Sequence, residues 1–158
     1  MMRPWRCIGS CWDVSSEWRV ASGAAWPVPA LATDEIHLWL VDLDQPPQPR
    51  AALAATLAAD ERERAARFRF PEHQASFIAG RGLLRTLLGR YLDRPAAALR
   101  FEQGAQGKPT LAGVDAAAGL HFNLSHSGNR ALYAVARRAV GVDVEARERR
   151  VDYAAVLE

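Results

Sequence analysis

Apolar residues recur along this chain at helical spacing in one long stretch and at alternating spacing in several short ones. Phe77, Gly80, Leu84, Leu87 and Tyr91 follow the helical period, with Leu83 and Leu88 widening the stripe, and predict a core helix from Pro71 to about Leu92. Arg81 and Arg85 lie one turn apart on its flank, where they are expected to pair with acids on neighbouring elements or to line a nucleotide site. Residues 35–42, EIHLWLVD, alternate: Ile36, Leu38 and Leu40 share one face, and His37, Trp39 and Val41 the other, as in a strand.

Residues 45–49, QPPQP, read as a Pro-rich turn, followed by a helix over 50–59 with Leu53 and Leu57 one turn apart. Asp60 then reads as an N-cap with Glu63 as its capping-box partner, opening a helix that carries Arg62, Arg64 and Arg67 and ends near Phe68. Past the long helix, residues 93–95 open a short helix through Ala98, 99–101 form a short strand, 103–108 a polar loop, and 111–119 an Ala- and Gly-rich link. Three strands follow, over 121–124, 131–136 and 140–145, with polar connections at 125–130 and 137–138. Residues 1–33 hold Trp5, Trp12, Trp18 and Trp26 without a helical or strand period, and are expected not to fold with the domain.

Composition narrows this outline. A chain of 158 residues, 49% apolar and 24% charged, suffices for one domain with its own core. The net charge of +2 demands no polyanionic partner, and the long helix is too apolar to read DNA, so no nucleic acid is expected. The two cysteines, Cys7 and Cys11, support neither a disulfide framework nor a zinc site. No apolar run suggests a membrane span, and the first 30 residues lack the apolar core of a secretory signal; a cytoplasmic protein is the expectation.

Candidate chemistry concentrates in the last third. In VGVDVE, residues 140–145, a strand period of two turns Asp143 and Glu145 to one side and Val142 and Val144 to the other. Paired carboxylates repel unless a cation sits between them, and Mg²⁺ beside a phosphate commonly uses one or two carboxylates. An edge strand with a solvated acidic face fits the same spacing. Ser125-His126-Ser127-Gly128 directly follows a strand and reads as a turn whose amides, hydroxyls and imidazole suit an anion; an ordinary polar hairpin loop is the other reading. Ser125 and His126 as a nucleophilic pair are disfavoured, because sequence neighbours rarely reach the required geometry. Lys108 is the only lysine, against 19 arginines, and Pro109 after it favours an extended backbone that projects the amine.

GKP at 107–109, FNLSHSG at 122–128 and VGVDVE at 140–145, in that order, resemble 4′-phosphopantetheinyl transferases of the larger, two-lobed class. The resemblance runs from about Asp34 to the end. It implies an α+β fold, one lobe of a pseudo-duplicated structure with an antiparallel sheet packed on a long helix. It divides the chain into an N-terminal extension (1–33), an N-terminal lobe (34–142) and the start of a C-terminal lobe (143–158). The implied activity is transfer of 4′-phosphopantetheine from coenzyme A to a serine of an acyl or peptidyl carrier protein, using Mg²⁺. Lys108, Ser125, His126 and Arg64 would then grip coenzyme phosphates, and Asp143 and Glu145 would hold the metal. Asp143 would thereby meet the coenzyme as well, through the metal on its diphosphate. Glu61 stands where another relative carries Lys. The arginines of Arg62–Arg69 also read as a basic rim for an acidic carrier, or as plain surface charge.

The Trp-x-x-Lys-Glu motif of the family's second lobe does not occur in this sequence. The resemblance therefore implies a lobe whose other half is truncated or separately encoded. The rival expectations are a coenzyme A-binding remnant and an Arg-rich interaction module.

Overall fold

The computed structural model describes residues 4–7, 30–104 and 107–145. The long apolar stripe forms helix α3, Pro71–Tyr91, with Pro at its start, where a missing N–H costs nothing. Its Leu83, Leu84, Leu87 and Leu88 are buried against one face of a sheet. That sheet has four antiparallel strands in the order β1-β2-β6-β5: β1 is Pro4–Cys7, β2 Ile36–Asp42, β5 His121–Ser127 and β6 Arg130–Ala136. β3 (Phe101–Gln103) and β4 (Pro109–Leu111) make a separate two-stranded sheet. The architecture is α+β, with antiparallel sheets and a long helix, as the resemblance implies. No helix among the described residues is long and apolar enough to cross a membrane.

The alternation in β2 decides which face meets α3. His37, Trp39 and Val41 are buried, while Ile36, Leu38 and Leu40 are half-buried. Trp39 Nε1 donates to Tyr91 Oη at 3.0 Å, and His37 Nδ1 lies 2.6 Å from the same hydroxyl, so these two ring nitrogens are met by the end of α3. From β6, Tyr133 Oη donates to the Gly80 carbonyl at 2.7 Å. Burial pushes the hydroxyls of Tyr91 and Tyr133 well above the usual tyrosine range, so both stay protonated donors.

Several boundaries differ from the sequence reading. β1 lies inside the segment expected not to fold with the domain; it pairs with β2, Pro4 opposite Trp39 and Cys7 opposite Ile36. Helix α1, Pro47–Ala55, begins within the expected Pro-rich turn, because proline is compatible with the first helical turn. Helix α2, Ala59–Ala66, begins before Asp60 rather than after it. Glu61, not Glu63, caps it: its Oε2 accepts from Ala58 N–H at 2.9 Å. β3 lies two residues later than expected, and β4 takes Pro109 and Thr110, between the expected loop and link, together with Leu111, the first residue of the link.

α1 and α3 approach each other at Gly82. A methyl group there would lie 2.6 Å from Leu53 Cβ and 2.9 Å from the Leu53 carbonyl oxygen, and backbone cannot swing aside as a side-chain tip can. Gly82→Ala is expected to destabilise the protein towards the upper end of the about 1–3 kcal/mol of an overpacked core. That exceeds the about 1 kcal/mol that alanine gains in helix propensity. A lowered urea midpoint with an unchanged slope would show it; an unchanged midpoint would refute it.

Candidate functional site

β5 is the outer strand of the sheet opposite β1, so among the described residues one of its edges has no strand partner. Residues 140–145 run along it. Gly141 lies beside Asn123, 3.7 Å from its Nδ2 to the position a Cβ would take, and Asp143 lies at Ser125. The segment therefore runs in the same direction as β5. The structure departs here from the expected third strand, because residues 140–145 form no ladder. Their exposure still alternates: Val140, Val142 and Val144 are half-buried, while Gly141, Asp143 and Glu145 are exposed. The period-two argument for two acids on one side depends on an extended backbone, not on pairing.

Side chains hold the segment in place of a ladder. Ser125 Oγ donates to Asp143 Oδ1 at 2.5 Å and accepts from Val144 N–H at 3.2 Å. Val144 N–H also donates to Asp143 Oδ1 at 3.0 Å. Lys108 Nζ, from the loop between β3 and β4, donates to the Val140 carbonyl at 2.7 Å. An ammonium group has three donors, so this bond leaves Lys108 capacity for an anion.

The expected turn at 125–130 is a correction as well. β5 continues through Ser127, with Ser125 opposite Leu132 and His126 opposite Ala131. The turn is only Gly128-Asn129, and Gly128 has φ +57, the left-handed conformation that two-residue hairpin loops require. Successive amides of a strand point to opposite edges, so Ser125, His126 and Ser127 build no nest of convergent N–H groups. Successive side chains also alternate: Ser125 lies on the face opposite His126, which is exposed. That alternation removes the geometry a Ser–His nucleophilic pair needs.

Ser125, Asp143 and Lys108 thus meet on one segment, with Glu145 two residues further on and His126 next to Ser125 on the other face. Arg64 is not part of that contact set. It lies exposed on α2, its guanidinium carbon 5.3 Å from the centroid of the Phe77 ring. Among the described residues, no three or more His, Cys, Asp or Glu side chains cluster in a way that holds a metal.

Glu61 is the residue whose importance the sequence reading missed. It is buried and receives Arg81 Nε at 2.5 Å and Arg85 Nε at 2.6 Å. It is an anchor between α2 and α3, not a place in a phosphate clamp. Its spacing from Ala58 was the available signal, obscured because alanine is a weak N-cap.

Residues 45–138 match the family model described as 4′-phosphopantetheinyl transferase, N-terminal. The match includes Arg64, Lys108, Ser125 and His126; Asp143 and Glu145 lie beyond it. The chain is 51% identical over 116 residues to the 4′-phosphopantetheinyl transferase HetI of Nostoc sp., covering 73% of this chain and 49% of that protein. It is 40% identical over 96 residues to a phosphopantetheinyl transferase of Thraustochytrium sp., covering 60% and 33%. It is 31% identical over 93 residues to a 4′-phosphopantetheinyl transferase of Bacillus subtilis, covering 59% and 40%. The chain spans about half or less of the length of these relatives.

Proposed function

Because this chain belongs to the 4′-phosphopantetheinyl transferase family, we propose that it serves the transfer of 4′-phosphopantetheine from coenzyme A to a serine of an acyl or peptidyl carrier protein. One observation carries the reading. Three motifs separated in sequence, GKP, FNLSHSG and VGVDVE, meet at the outer edge of β5 through the bonds of Lys108 to Val140 and of Ser125 to Asp143.

The coenzyme's diphosphate lies along this edge. Lys108 supplies charged donors, His126 presents an exposed imidazole, Arg64 on α2 takes a further phosphate, and Ser125 stands behind Asp143. Asp143 and Glu145 present hard oxygen donors to solvent on one side of an extended segment, a donor set that fits Mg²⁺, which keeps several waters beside one or two carboxylates. When bound there, the metal would neutralise charge on the diphosphate as a carrier serine displaces adenosine 3′,5′-bisphosphate. The exposed Arg62, Arg64, Arg67 and Arg69 present a basic face that steers an acidic carrier protein. A cytoplasmic location fits a chain with only two cysteines.

Incubating the chain with coenzyme A, Mg²⁺ and apo carrier protein tests the proposal by mass spectrometry. A mass gain of one phosphopantetheine on the carrier serine is the expected result. In a second reading these residues bind coenzyme A without transferring it. Binding without mass gain would favour that reading, and absence of binding would overturn both.

A further inference from the structure

We propose that Ser125 is a positioning residue for Asp143, its hydroxyl committed to the protein rather than to a coenzyme phosphate; this deepens the reading above and rests on it. A segment alongside a sheet edge without backbone pairing keeps its register only through side chains. Here Lys108 fixes the start of 140–145 at the Val140 carbonyl, and Ser125 fixes its middle at Asp143 and Val144.

Hydroxyl stoichiometry then decides what Ser125 can do. A serine hydroxyl has one hydrogen and two lone pairs. The hydrogen goes to Asp143 Oδ1 at 2.5 Å, and one lone pair takes Val144 N–H at 3.2 Å. A phosphate oxygen needs a donor, and the only one Ser125 has is already used. The bonds of Ser125 and of Val144 N–H both fall on Oδ1 of the carboxylate, which orients it and leaves Oδ2 to a cation. Partners behind a metal ligand commonly tune affinity by holding the ligand in one orientation, and their loss typically costs about 10–100-fold.

The test uses the full chain and Mn²⁺ as an electron-paramagnetic probe without coenzyme, together with coenzyme A binding in the presence of a chelator. Ser125→Ala is expected to weaken Mn²⁺ binding by about 10–100-fold and to leave chelator-insensitive coenzyme binding unchanged. Ser125→Thr keeps the hydroxyl on a residue suited to a strand, and is expected to restore Mn²⁺ affinity to within a few-fold of wild type. Its rescue, with a wild-type melting midpoint for Ser125→Ala, separates positioning from misfolding. Wild-type Mn²⁺ affinity in Ser125→Ala, while Asp143→Asn loses it, would overturn the positioning role and leave the metal site standing. The same holds if Ser125→Ala loses coenzyme affinity in chelator while Mn²⁺ affinity is unchanged. Wild-type Mn²⁺ affinity in Asp143→Asn would instead remove the site reading itself, and the positioning role with it.

Discussion

Asp143→Asn is expected to abolish the dependence of coenzyme A binding on Mg²⁺. The substitution keeps size and shape but removes the charge that offsets a divalent cation, and leaves one fewer anionic oxygen beside Glu145. The loss should exceed the about 100-fold typical of removing a supporting group, because Asp143 is proposed as a direct ligand. Calorimetric titration of coenzyme A with and without Mg²⁺ reads this directly: metal should tighten binding to the wild type and leave Asp143→Asn indifferent. Glu145→Gln should act in the same direction. Both side chains are exposed, so the melting midpoint should stay near that of the wild type. Retention of the metal effect in both variants would remove the metal from the proposed function.

The largest stability effect is expected at Glu61. Its carboxylate receives Arg81 and Arg85 and caps α2 at Ala58, and Arg85, only 1% exposed, also donates from Nη1 to the Ala96 and Leu99 carbonyls at 3.0 Å each. The two guanidiniums lie 4.8 and 5.0 Å from the centroid of the Phe101 ring, which helps exclude water from the cluster. Glu61→Ala would leave the Arg85 charge buried without its partner, a change that costs about 3–5 kcal/mol when one member of a buried pair is removed. Urea denaturation should show that loss, and a change below about 1 kcal/mol would mean that the arginines relax to solvent.

The same cluster predicts a pH dependence. Burial pushes the Glu61 carboxyl up, but the Arg85 hydrogen bond, the Ala58 N–H and the charges of Arg81 and Arg85 outweigh it and hold it below the ordinary value of 4.5. A carboxylate depressed in the folded state contributes stability that is fully present above 4.5 and is lost as pH falls through the folded value. Wild-type stability should therefore decline on acidification below 4.5, and the decline should be shallower in Glu61→Ala.

The residues that defeated local reading did so for definable reasons. Ser125 and His126 are polar and precede a glycine, which locally favours a turn. Pairing with Leu132 and Ala131 extends the strand through them, because a strand's length is set jointly with its partner. Residues 140–145 have the alternation of a strand but are tied to β5 by side chains, so pattern alone overstated their pairing. Asp60 and Glu63 fitted a capping box as well as Glu61 did; burial against Arg85 selected Glu61, and no local signal contains that partner. Arg81 and Arg85, by contrast, took the structural role expected of charges on the flank of a core helix.

Taken alone, the amino-acid order determined the long helix, a strand over 35–42 and the positions of the three motifs, whose resemblance implied the α+β class. Each depends on periodicity or on residue identity over a short span. Only the tertiary structure decided that Ser125 bonds Asp143, that Lys108 reaches Val140 and that Glu61 is buried between two arginines. Those contacts join residues 18, 32, 20 and 24 positions apart, and their energies exist only once the sheet edge and the helices have brought them within reach.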